Sequence, residues 1–119
     1  MPNRGHEGLV TLDTGQPITI APSLPNVTVY VSIGNSDDKL TQEKWAMFCR
    51  AVMNTVFNHA STIHGEWYSL SNEPYQNATI CFEVGGGRVP TLKNQLHEVR
   101  VRYGQDSIAW AIVEKTEFI

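Results

Sequence analysis

From residue 27 to residue 119 the spacing of apolar residues switches between two periods, in the order strand, helix, strand, strand, helix, strand. A period of two puts alternate side chains on one face of a strand, and a period near 3.6 puts them on one stripe of a helix. Val27, Val29, Val31 and Ile33 alternate with Thr28, Tyr30 and Ser32, which reads as a half-buried strand. Thr41 can cap a following helix, with Glu43 in its first turn. Trp45, Phe48, Cys49, Val52, Val56 and Ala60 then recur at helical spacing to about His59. Residues 62–70 and 77–84 read as two strands joined by a polar hairpin loop. The first sets Ile63, Gly65 and Trp67 against His64, Glu66 and Tyr68. The second sets Ala78, Ile80, Phe82 and Val84 against Asn77, Thr79, Cys81 and Glu83. Pro90 suits the first turn of a second helix, whose inner face carries Leu92, Leu96, Val99 and Tyr103 and which Gly104 stops. Residues 107–114 complete the series as a strand with Ile108, Trp110 and Ile112 inward.

This order predicts an α+β fold, a ferredoxin-like βαββαβ sandwich. Its four-stranded antiparallel sheet takes the strand order 4-1-3-2, with two helices on one face. The sandwich domain is residues 27–119. Residues 1–26 form an N-terminal segment with a β-hairpin, in which Val10 and Leu12 face Ile18 and Ile20 across Asp13-Thr14-Gly15-Gln16. Pro22 and Pro25 separate the hairpin from the sandwich.

Charge and composition exclude several classes. A net charge of -3 without a run of Lys or Arg argues against nucleic acid as a partner. No apolar run reaches the roughly 18 residues that a membrane span needs. The first residues lack the apolar core of a secretory signal, so the expected location is cytoplasmic. Cys49 and Cys81 fall on opposite sides of the sheet, which argues against a disulfide and fits a reducing compartment. Gly85-Gly86-Gly87 with Arg88 lacks the Lys-Ser/Thr of a phosphate loop and the downstream pattern of a dinucleotide fold. It reads as a flexible connector, and no cofactor is expected.

Chain direction sorts the loops. One end receives loops 34–39, 71–76 and 104–107, gathering Asp37, Asp38, Glu73 and Asp106 with Asn35, Asn72, Gln76 and Gln105. Such oxygens suit a hard cation, but the spacing matches no ion-binding loop, and turn residues of this kind are ordinarily solvated. No metal site is assigned. Asn35, Gln76 and Gln105 remain candidate contacts to a polar ligand.

The second candidate surface is the sheet face away from the helices. Strict alternation puts Tyr30, Ser32, His64, Glu66, Tyr68, Thr79, Cys81, Glu83, Ala109 and Ala111 there, and puts Trp45, Trp67 and Trp110 on the core side. Such a face is either covered, by a homodimer, a higher oligomer or the hairpin, or it lines a pocket in which Tyr30 and Tyr68 stack on a planar ring. The leading expectation is a non-enzymatic binding domain for a small polar, nucleotide-like ligand held by Tyr30, His64, Glu66 and Tyr68 or by the amide-rich loops. The alternative is a protein-interaction or inhibitor module acting through the open face. A third reading is a small hydrolase-type enzyme using His64 and Glu66 as a general-base pair, or a loop-bound metal.

Overall fold

The computed structural model describes residues 9–11, 17–19, 24–35, 39–70 and 75–119. Strands β1 (Leu9–Thr11) and β2 (Pro17–Thr19) pair antiparallel with Val10 opposite Ile18, as the hairpin reading expects. The Asp13–Gln16 turn, Leu12 and Ile20 lie outside the described residues.

The sandwich then runs β3 (Asn26–Gly34), α1 (Gln42–Phe57), β4 (Thr62–Tyr68), β5 (Asn77–Gly85), a short 3-10 turn (Gly86–Arg88), α2 (Val89–Arg102) and β6 (Ala109–Val113). The sheet order is β4-β5-β3-β6 with every neighbouring pair antiparallel, which is the predicted 4-1-3-2 topology. Thr41 caps α1: its hydroxyl accepts from the Lys44 amide at 3.2 Å, satisfying an N–H that the first turn leaves without a helical partner. Gly104 follows α2 at φ 65°, a left-handed conformation that glycine adopts without a Cβ clash.

Both helices pack on one face of the sheet. Val29, Val31, Ile80 and Phe82 from the central strands meet Phe48 and Val52 of α1 and Leu92 and Leu96 of α2, all at most 4% exposed. Trp110 joins this core edge-on to Phe82, with ring centroids 6.3 Å apart. Ile112 shares the helix-side row with Val29, yet at the rim of the sheet it stays 44% exposed.

Alternation holds along β3, β5 and β6 and breaks in β4. Ile63 pairs with Phe82 and Gly65 with Cys81, the next residue on β5, so His64 is an extra residue in a β-bulge. A bulge shifts the side-chain phase by one residue, and everything after it changes face. Trp67 therefore pairs with Thr79 on the open side and is 54% exposed, where unbroken alternation had assigned it to the core. Glu66 and Tyr68 pair with the buried Ile80 and Ala78, and so lie on the helix side instead of the open face.

The glycine run also differs from expectation. Gly85 ends β5, and Gly86 opens an ordered 3-10 turn whose amide donates to the Pro25 carbonyl at 3.1 Å. A Cβ on Gly86 would come within 2.9 Å of the Leu24 Cβ. Close approach of the incoming chain, rather than flexibility, is why glycine is needed there, and the hydrogen bond removes one donor that a phosphate nest would use.

Candidate interaction face

Direct pairing across the sheet assigns the open face row by row, because residues opposite one another share a side. One row is Val113, Thr28, Glu83 and Thr62, read from β6 to β4. The next is Ala111, Tyr30, Cys81 and Gly65, and the third is Ala109, Ser32, Thr79 and Trp67. Among the described residues no helix covers these rows, and Tyr30 and Trp67 are 40% and 54% exposed. The face is sorted by size. The β4 side carries the indole of Trp67, which lies over Gly65 so closely that a Cβ there would sit 3.1 Å from two ring atoms. The β6 side carries only alanines in the matching rows. Ser32 and Thr79 hydroxyls bond each other at 2.9 Å across the centre. The Tyr30 phenol pKa is raised, chiefly by the Cys81 thiol of the paired position on β5.

Charge is confined to one corner. His64 Nε2 lies 2.8 Å from Glu83 Oε2, an exposed pair of the kind that contributes about 0–1 kcal/mol. Glu66, the expected partner of His64, instead accepts from the Tyr68 hydroxyl at 3.0 Å on the helix side, where both line a groove with Cys49 and Arg50 of α1. Burial, followed by this hydrogen bond, pushes the Tyr68 phenol up to about 12. Burial likewise raises the Cys49 thiol to about 11. Both cysteines are free and buried. The array Tyr30, His64, Glu66, Tyr68 is thus divided between two sides of the sheet.

The loops do meet at one end, and there they bond each other. Asn35 Oδ1 accepts from the Leu40 amide at 3.0 Å, and Asn35 Nδ2 donates to the Leu40 carbonyl at 3.0 Å and to Gln76 Oε1 at 3.2 Å. Gln42 and Gln76 exchange two amide hydrogen bonds of 2.7 and 2.8 Å. Asn35 and Gln76 are buried, with these polar atoms used to clasp the β3–α1 loop to β5. Gln105, also buried, donates to the Tyr103 carbonyl at 3.1 Å and sits in the α2–β6 turn, apart from that clasp. Lys39 Nζ bonds Asp106 at 2.9 Å, which holds this carboxyl below its ordinary pKa. Asp37, Asp38, Asn72 and Glu73 lie outside the described residues. Among the described residues no group of three or more His, Cys, Asp or Glu is placed to hold a metal ion.

Sequence reasoning missed Trp67 and Gly65 as members of the open face. The signal was present: a glycine inside a strand pattern often marks a bulge.

No protein-family model matches the chain, and no curated protein does. Among solved structures, the fold is similar to the C-terminal domain of the MgtC protein from Mycobacterium tuberculosis, with a TM-score of 0.54 and 11% identity over 76% of this chain and 92% of that one. It is equally similar to the de novo designed protein Foldit4, with a TM-score of 0.54 and 10% identity over 77% and 100% of the two chains. A DUF3240 family protein from Shewanella baltica gives a TM-score of 0.45 and 13% identity over 78% and 96%. The first two likenesses establish the ferredoxin-like α+β architecture. That a designed protein matches as well as a natural one underlines that architecture alone carries no activity. Among the described residues no helix is long and apolar enough to cross a membrane.

Proposed function

We propose that this domain is a protein-interaction module that pairs with a second copy of itself through the open sheet face. The observation that carries the reading is the size sorting of that face, with Trp67 on one flank and Ala109 and Ala111 on the other. Sheets packed face to face keep their strands within about 30° of each other and lie about 10 Å apart. A two-fold axis between two such sheets, running along the strands, sets β4 of one copy over β6 of the other. Trp67 then meets the mate's Ala109, and Tyr30 meets the mate's Cys81, so large groups fall on small ones. Apart from the His64–Glu83 corner the paired rows are uncharged, so two copies approach without like-charge repulsion.

Size sets the strength. Four strands about 4.8 Å apart and roughly 20 Å long give a face of about 400 Å² per copy. Some 800 Å² in total lies at the low end of specific interfaces, among weak and reversible complexes. The dissociation constant therefore falls in the micromolar range or weaker, on the order of -8 kcal/mol or less favourable.

Sedimentation equilibrium over a broad concentration series tests this. The wild-type chain should pass from monomer to dimer with rising concentration, while Trp67→Ala and Ala109→Glu should each weaken the dimer at least about tenfold. A monomer at every concentration, or a dimer indifferent to both substitutions, rejects the reading.

A small-ligand site on the same face has less support. Of its expected residues only Tyr30 and His64 remain on the open side, and His64 is engaged by Glu83.

A further inference from the structure

On the opposite side of the sheet, α2 and β6 flank an open cleft of about 310 Å³. Its apolar lining is Leu96, Ile108 and Trp110; its polar lining is Lys93, His97, Arg100, Asp106 and Ser107. We propose that this cleft binds a small amphiphilic anion, a carboxylate carried on an aromatic body.

The hydrogen-bond inventory of the walls supports the choice. Lys93 Nζ stands 5.4 Å from the Trp110 ring centroid, so a cation sits over the apolar floor. Arg100 is held in place: Nη1 donates to the Gln105 carbonyl at 2.7 Å and the Asp106 carbonyl at 3.3 Å. Its Nη2 lies 3.1 Å from His97 Nδ1. Guanidinium only donates, so His97 Nδ1 accepts, and the neutral ring carries its proton on Nε2 as a further donor. The Trp110 indole Nε1–H is buried and has no hydrogen-bond partner among the described residues. That nitrogen is closed off from solvent, so Trp110 offers the cleft its ring, and the anion's charge is met by Lys93 and His97 of the lining.

Against these donors the lining offers one carboxylate, Asp106, and Lys39 already bonds it. The cleft is therefore rich in donors and positive within a chain whose net charge is -3. Its volume is at the lower limit of small-molecule pockets, enough for a one- or two-ring ligand and too small for a dinucleotide. A carboxylate suits the donors, and a flat apolar body suits the floor of Trp110, Leu96 and Ile108.

Nitrogen-15 spectra provide the test, because the chain has three tryptophans and so three indole N–H signals, with Trp110→Phe assigning one. The probes are phenylacetate, acetate (charge without ring) and 2-phenylethanol (ring without charge). The Trp110 signal should move and saturate with phenylacetate at low-millimolar levels, and about tenfold less readily with either fragment probe. Lys93→Gln should weaken phenylacetate binding about fivefold, with the Trp45 and Trp67 signals unmoved. Absence of saturation by about 20 mM overturns the proposal, as does equal binding of the uncharged alcohol. Movement of Trp67 alone would place the anion elsewhere and overturn it too.

Discussion

Burial, with a hydrogen bond to Glu66 added to it, raises the Tyr68 phenol, and the consequence is measurable. A phenol pushed up to about 12 is neutral in the folded state at pH values where an unfolded tyrosine ionises. The sign comes from linkage: the contribution to stability is complete below pH 10 and is lost as pH rises toward 12. The difference in phenolate absorbance between the wild type and Tyr68→Phe should contain one group titrating near 12. In a Glu66→Gln background the same group should titrate lower, since the carboxylate no longer holds the proton in place. A Tyr68 that titrates as a free phenol would mean the pair does not form. Trp67, between these two residues in sequence, faces the other way, and that difference in direction separates a helix-side contact from an exposed interaction residue.

At the level of elements, most of the fold was legible and the site was not, and the reason lies in β4. Val27 to Ile33, the Trp45–Val56 stripe and Leu92–Val99 each carry a long run of one period, so their type and inner face can be read from spacing alone. The β4 strand is short and forms an edge of the sheet, and most of its residues are exposed, so burial imposes little pattern on it. One extra residue, His64, inverts the faces of Gly65 to Tyr68, and alternation cannot register an insertion that leaves both faces mixed. The buried amides Asn35 and Gln76 were placed at the correct end, but a sequence does not reveal that two side chains satisfy one another across 41 positions. The bulge makes its own prediction. Deleting His64 should leave Ile63 opposite Phe82 and Gly65 opposite Cys81, with all later residues on their present faces. Only an exposed side-chain contact between His64 and Glu83 is lost, so chemical denaturation should register a change within about 1 kcal/mol. Acrylamide should quench Trp67 as before. A shielded Trp67, or an unfolded chain, would mean that His64 belongs to the regular ladder.

The whole molecule has two sides of different chemistry. The helix side holds the core and, at its α2–β6 edge, a donor-rich cleft; the other side is a nearly uncharged sheet with large groups on one flank and small ones on the other. The two surfaces are separated by the sheet, so a ligand in the cleft and a mate on the open face do not compete for the same residues. In the proposed dimer the open face receives a second copy with Trp67 over Ala109. Within one chain these residues sit on the two outer strands, three strand spacings or roughly 14 Å apart, beyond the reach of a proton–proton Overhauser effect. An isotope-filtered spectrum of a mixture of labelled and unlabelled protein, at a concentration where sedimentation detects dimer, tests that contact directly. Cross-peaks between the Trp67 ring and the Ala109 methyl group of the other copy are expected. A dimer whose spectrum lacks them, or that links β4 to β4 or β6 to β6 instead, would contradict it.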